Sequence, residues 1–167
     1  MNNAPSNLRY TESYDFLNNR SQALAVVFDS NRPIGFARQV IEKFPYVDVQ
    51  KRPHAPGTID LWGNSQRKQR YVIGIFAQSA VDPPGQRLEW FQKALGRIRD
   101  QLPQLRSVAF PRRAPKSKTC PYESLIREWA RSLPSVDVEL VNFLPRYERF
   151  TLGQGSPRKG RSEDTRV

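Results

Sequence analysis

The sequence predicts a three-layer α/β domain, with a largely parallel sheet held between two layers of helices. Two observations carry this. Residues 24–28 (LAVVF) and 71–76 (YVIGIF) are continuous apolar runs, the pattern of strands covered on both faces rather than exposed on one. The strand-like runs are also separated by segments of helical period, and that alternation builds parallel sheets with helices packed on them. With 167 residues, the chain fits one domain with tails better than two.

Taken in order, the run at 24–28 is followed by Ile34, Ala37, Val40, Ile41 and Phe44 at helical spacing, and Pro45 closes that helix. Residues 58–62 (TIDLW) alternate as a strand. The polar stretch GNSQRKQR then reads as a hairpin or short loop before the run at 71–76. After the DPPG turn, Leu88, Phe91, Leu95, Ile98 and Leu102 line one face of a helix of about four turns, and residues 107–110 (SVAF) form a short strand. Pro121 suits the first turn of a further helix, whose apolar face is Tyr122, Leu125, Ile126, Trp129, Ala130 and Leu133. Residues 136–143 (VDVELVNF) read as a strand near a sheet edge. Trp62, Trp90 and Trp129 are expected as core or groove aromatics. The domain is expected to span residues 8–148, after a flexible segment 1–7 and before a disordered basic tail 149–167 that is poor in apolar residues.

Lys and Arg total 27 against 16 Asp and Glu, a formal charge of +11, which favours polyanions such as RNA, DNA, anionic lipid or phosphate-bearing ligands. The single cysteine, Cys120, excludes an internal disulfide. The single histidine, His54, leaves no Cys/His cluster for structural zinc, so neither metal nor cofactor is expected. No apolar run approaches the ~20 residues of a membrane span, and the first residues lack a signal-peptide core. A reducing compartment follows as the expectation, cytoplasmic or nuclear. His54 is expected as an exposed loop residue, and Cys120 as structural or capping.

Ligands of such sheets bind beyond the carboxyl ends of the strands, so residues 29–35, 77–85 and 111–121 are the candidate loops. Gly35 allows close backbone approach. The third loop has no glycine, but it carries Arg112, Arg113, Lys116 and Lys118. On spacing alone the plainer reading leads, in which Gly35 opens a helix and the cations coat a loop. There is no GxGxxG, P-loop or GxSxG motif.

Several segments together resemble the macrodomain family. Leu8-Arg9-Tyr10 and Tyr14-Asp15-Phe16-Leu17 look like its opening strand and "GD-L-F" turn. LAVVFDSNRPIGFARQVIEKFP looks like its strand, "D..MG.GIA" loop and helix, with Asp29, Gly35, Ala37, Lys43 and Phe44 keeping the pattern. Gly57, the RYVIGIF strand and SVAFPR also fit, and Tyr122-Glu123 stands where the family has a "W-E" pair. The resemblance covers residues 8–145 and is greatest to the terminal ADP-ribose protein glycohydrolases. It implies an α/β/α fold with a mixed, mostly parallel sheet, and adenine bound by Asp15. Asp29, Asn31, Arg32, Ile34 and Gly35 would border the distal ribose, with Gln78 nearby.

The departures bear on function. Gln78 stands near the branch's covalent lysine, and an amide forms no Schiff base. Ala114 to Lys118 replace a "GCGLD" stretch, which removes phosphate-binding glycines and puts Lys118 where an aspartate is required; Pro33 replaces a further glycine. The expectation is a non-catalytic reader of an ADP-ribose-type nucleotide or RNA, gripped by Arg112, Arg113, Lys116 and Lys118. Two alternatives stand beside it. One is a scaffold recruiting a PDZ-domain partner through Thr165 and Val167, since the chain ends in Thr-x-Val. The other is a hydrolase working by a route foreign to the family. A degenerate, very basic domain with such a tail is the profile expected of a viral accessory or regulatory protein.

Overall fold

The structure is a computed structural model, and it describes residues 4–13, 15–29, 36–78, 85–112 and 122–143. Among these residues six strands form one sheet: β1 (Leu8–Ser13), β2 (Ala23–Asp29), β3 (Thr58–Trp62), β4 (Tyr71–Gln78), β5 (Ser107–Arg112) and β6 (Asp137–Phe143). Their order across the sheet is β1-β6-β5-β2-β4-β3. Every neighbouring pair is parallel except β3 and β4, which form the hairpin expected around GNSQRKQR. Three α-helices among the described residues, α1 (Phe36–Lys43), α2 (Gln86–Gln101) and α3 (Glu123–Arg131), complete the mixed α/β architecture. β6 lies one strand in from the edge, covered by β1.

Two apolar clusters, one on each face, explain the continuous runs. Along β2, Leu24, Val26 and Phe28 point to the layer of α1, where they meet Phe36, Ala37 and Val40. The intervening Ala23 and Ala25 point to the layer of α2 and α3. β4 divides in the same way, Val72 and Phe76 on the α1 side and Ile73, Ile75 and Ala77 on the other. A strand with apolar demand on both faces loses the polar alternation of a half-exposed one. α2 buries Phe91, Ala94, Leu95 and Ile98, whereas Leu88 at the start of the expected stripe is exposed. α3 buries Ile126, Trp129 and Ala130, and the Trp129 indole donates to the Leu95 carbonyl oxygen of α2 at 2.8 Å.

Two glycines are dictated by geometry. At Gly63, where the hairpin leaves β3, φ is +118° and a Cβ would lie 2.2 Å from the Arg70 carbonyl oxygen. At Gly74 a Cβ would lie 2.6 Å from the ring of Trp62, which crosses the β4 backbone there. Among the described residues no helix is long and apolar enough to cross a membrane. The expected tail 149–167 lies outside the described residues.

Candidate ligand crevice

The two middle strands do not stay together. β2 and β5 pair only at Ala23–Val108 and Leu24–Ala109. Beyond that point β2 runs on with β4 to Asp29, and β5 runs on with β6 to Arg112. Pro111 has no N–H to give, so β5 lacks one donor in this stretch. The helices that follow these strands pack on opposite faces, α1 after β2 and α3 after β5. This is a topological switch point, where an open α/β sheet offers a crevice outside the carboxyl ends of its strands.

Four of the sequence-predicted residues, Asp15, Asp29, Gln78 and Arg112, stand at this end of the sheet. Asp29 closes β2 opposite Gln78, the half-buried last residue of β4. The Asp29 side chain lies outside the described part. Asp15 stands two residues past Ser13, whose strand partner is Phe143 at the end of β6. The Asp15 carboxylate is exposed and accepts from the Asn18 amide at 2.6 Å, while its backbone N–H donates to the Ser13 hydroxyl at 2.9 Å. Asn31, Arg32, Ile34, Gly35, Arg113, Lys116, Lys118, Thr165 and Val167 lie outside the described residues.

Arg112 is less free than its position in a basic loop suggests. Its Nε donates to Glu123 Oε1 at 2.8 Å, and the two side chains are only 13% and 15% exposed. Glu123 also accepts from the Tyr10 hydroxyl at 3.0 Å and from Arg127 at 3.2 Å. Burial pushes the Glu123 carboxyl up, but hydrogen bonds from Arg112 and Tyr10 and the charges of Arg112 and Arg127 outweigh it and hold it below its ordinary value. The cluster locks β5, β1 and the start of α3 together. Beside it Tyr10, Thr11, Glu12, Arg112, Leu140 and Asn142 line a shallow depression. The Oδ1 of Asn142 is buried there and has no hydrogen-bond partner among the described residues, an acceptor that a ligand N–H or O–H would satisfy.

A second polar cluster was not expected. His54 is not an exposed loop residue: its side chain is 4% exposed and stacks on Phe76 with ring centroids 3.8 Å apart. Its Nε2 lies 2.9 Å from Oδ2 of Asp60, itself only 8% exposed. Arg52 binds the same carboxylate through Nε at 3.1 Å and a terminal nitrogen at 2.5 Å, and the Leu61 N–H adds a fourth bond. Burial raises the Asp60 carboxyl, but the bonds from Arg52, His54 and Leu61 prevail and lower it. An ionised carboxylate only accepts, so Nε2 of His54 carries the proton. With its ring sealed against Phe76, the pair braces the edge strand β3 against β4 and offers no exposed base. The alternation in TIDLW was the available signal, since it puts Asp60 on the same inward face as Trp62.

No protein-family model matches the chain, and no curated protein matches it in sequence. Solved structures do. The macrodomain of Mycobacterium tuberculosis DarG superposes with a TM-score of 0.62 at 17% identity, over 80% of this chain and 96% of that one. The chain has the macrodomain fold. The macrodomain of Thermus aquaticus DarG matches at 0.60 and 21% identity, over 83% and 98% of the two chains. Thermosipho africanus DarTG in complex with ADP-ribose matches at 0.59 and 16%, over 86% of this chain and 44% of that one. The macrodomain resemblance carried by residues 8–145 is thus borne out as a likeness of fold.

Proposed function

We propose that this macrodomain-fold protein is a non-catalytic reader that binds an ADP-ribose-type nucleotide in the crevice between the diverging ends of β2 and β5. The parting of those strands after Leu24 and Ala109, at the switch point of the sheet, carries the reading. A solved protein of the same fold holding ADP-ribose supports it. Asp15, exposed beside the end of β6, takes the adenine amino group, and the buried Asn142 acceptor supplies a further polar contact. Residues 31–35, with Asp29, border the distal ribose, and Arg113, Lys116 and Lys118 grip the diphosphate through side chains. The ending of β4 in Gln78 argues against chemistry, because an amide cannot form a covalent adduct with the sugar.

Calorimetric titration of the full chain with ADP-ribose tests this. Saturable one-to-one binding is expected, weakened about tenfold or more in Asp15→Ala, the loss of one charge-assisted hydrogen bond. No release of ADP-ribose from a glutamate-linked ADP-ribosyl peptide is expected. Absence of heat with ADP-ribose would overturn the binding claim, and turnover would overturn the non-catalytic one.

A further inference from the structure

We infer that the opposite end of the sheet, where the parallel strands begin, binds the phosphodiester backbone of a nucleic acid. This does not rest on the crevice reading. Three segments lead into three adjacent strands: residues 20–22 (RSQ) into β2, 63–70 (GNSQRKQR) into β4 and 103–107 (PQLRS) into β5. They carry Arg20, Arg67, Lys68, Arg70 and Arg106 and not one Asp or Glu. Elsewhere several arginines pair with carboxylates: Arg9 with Glu139, Arg52 with Asp60, and Arg112 and Arg127 with Glu123. At this end Arg20, Arg67, Lys68 and Arg106 are exposed, and among the described residues none has an ion-pair partner. The nearby carboxylates are Asp137, across from Ser107, and the buried Glu139, which accepts from the Asn19 amide beside Arg20 at 3.1 Å and is itself paired with Arg9.

These cations stand on a knit surface. The Arg70 guanidinium donates to the carbonyl oxygens of Asn19 and Ser21, on either side of Arg20. The Gln22 N–H donates to the Ser107 hydroxyl, and the Arg106 N–H to the Gln22 side chain, both at 2.7 Å. Asn64 folds the hairpin tip by accepting from the Gln66 N–H at 2.9 Å, which fixes Arg67 and Lys68 above the start of β4. Arg70 itself is half-buried and bonds to carbonyl oxygens rather than to a carboxylate, so its charge adds to the field of the others.

The chemistry of the surface selects the ligand. Adjacent strands lie about 4.8 Å apart, so cations on β5, β2 and β4 span on the order of 10 Å, the rise of about three phosphates of one strand. Between them stand Ser21, Gln22, Gln66 and Gln69, side chains of the kind that hydrogen-bond phosphate and sugar oxygens. The leucine of these segments, Leu105, packs inward, and the exposed large apolar side chains Tyr10, Leu61 and Leu88 lie outside them. Stable docking on an anionic membrane adds the insertion of apolar side chains to attraction by charge, and among the described residues this surface presents none to insert.

The test is fluorescence anisotropy of labelled single-stranded RNA and DNA of about 20 nucleotides with the full chain, between about 50 and 200 mM salt. The variant R20Q/R67Q/R106Q is expected to bind about tenfold or more weakly, with a salt slope flatter by about one for each phosphate it no longer neutralises. Those three side chains make no hydrogen bond among the described residues, so an unchanged melting curve is expected. The variant R38Q/K51Q/K93Q, equal in charge removed but placed elsewhere, is expected to stay within about threefold of the parent. Equal binding of RNA and DNA points to the backbone, and preference for RNA to added bonds with the 2′-hydroxyl. Equal loss in the two variants, no loss in the first, or binding to anionic vesicles without binding to either oligomer would each overturn the inference. Saturating ADP-ribose is expected to leave the anisotropy unchanged, which separates this surface from the crevice.

Discussion

At the residue scale, Asp60 shows how a buried charge is kept. Four donors meet one carboxylate, two of them from Arg52, one from His54 and one from the Leu61 backbone. His54→Ala removes a donor and a ring stacked on Phe76, and is expected to cost about 2–3 kcal/mol in urea unfolding. His54→Phe keeps the stack and is expected to recover about half of that. The face on which Asp60 sits was legible in TIDLW. Its partners were not, because Arg52 and His54 come from a proline-bounded loop whose path follows from packing against Phe76 rather than from local preference. Arg112 makes the same point within the site: four cations in one loop read as a common grip, yet Glu123 of α3 holds this one by an ion pair that no spacing rule foretells.

At the scale of elements, the strand runs and the helical stripes were readable because burial on both faces leaves a mark in composition. The order of strands was not, since it is decided by pairings such as Leu8 with Val138 that join distant parts of the chain. Nor was the parting of β2 from β5, the feature that opens the crevice. The β3–β4 hairpin carries its own test. Gly74→Ala places a methyl group 2.6 Å from the Trp62 ring and is expected to destabilise by about 1–3 kcal/mol. In a Trp62→Ala background the same change is expected to cost less than half as much, because the clash has gone; thermal melts of the four proteins measure the difference.

At the scale of the whole molecule, three sheltered carboxylates set the response to acid. Glu139, like Asp60 and Glu123, is raised by burial but lowered overall, here by bonds from Thr11, Asn19 and Arg9. Each binds its proton less readily folded than unfolded, so the unfolded chain takes up more protons as pH falls. Stability from these groups is therefore complete above about pH 4.5, where the unfolded carboxylates are ionised, and is lost as pH drops through the lower folded values. Urea midpoints taken from about pH 6 down to pH 3 are expected to fall, and Glu139→Gln to flatten that fall while lowering the plateau. The charge of +11 steepens the decline by self-repulsion.

The pairing of β1 with β6 sets the timetable of synthesis. Of the six described strands β1 leaves the ribosome first, and its neighbour in the sheet, β6, leaves last. The Asn7 side chain, beside it, donates to the carbonyl oxygens of Ala130, Leu133 and Val136, which emerge just as late. At about 5–20 residues per second, the interval between the two strands is on the order of ten seconds. Throughout it the nascent chain carries an unpaired strand, Leu8 to Ser13, with a charged residue at Arg9 and another at Glu12. Those charges guard an edge that has to wait for its partner.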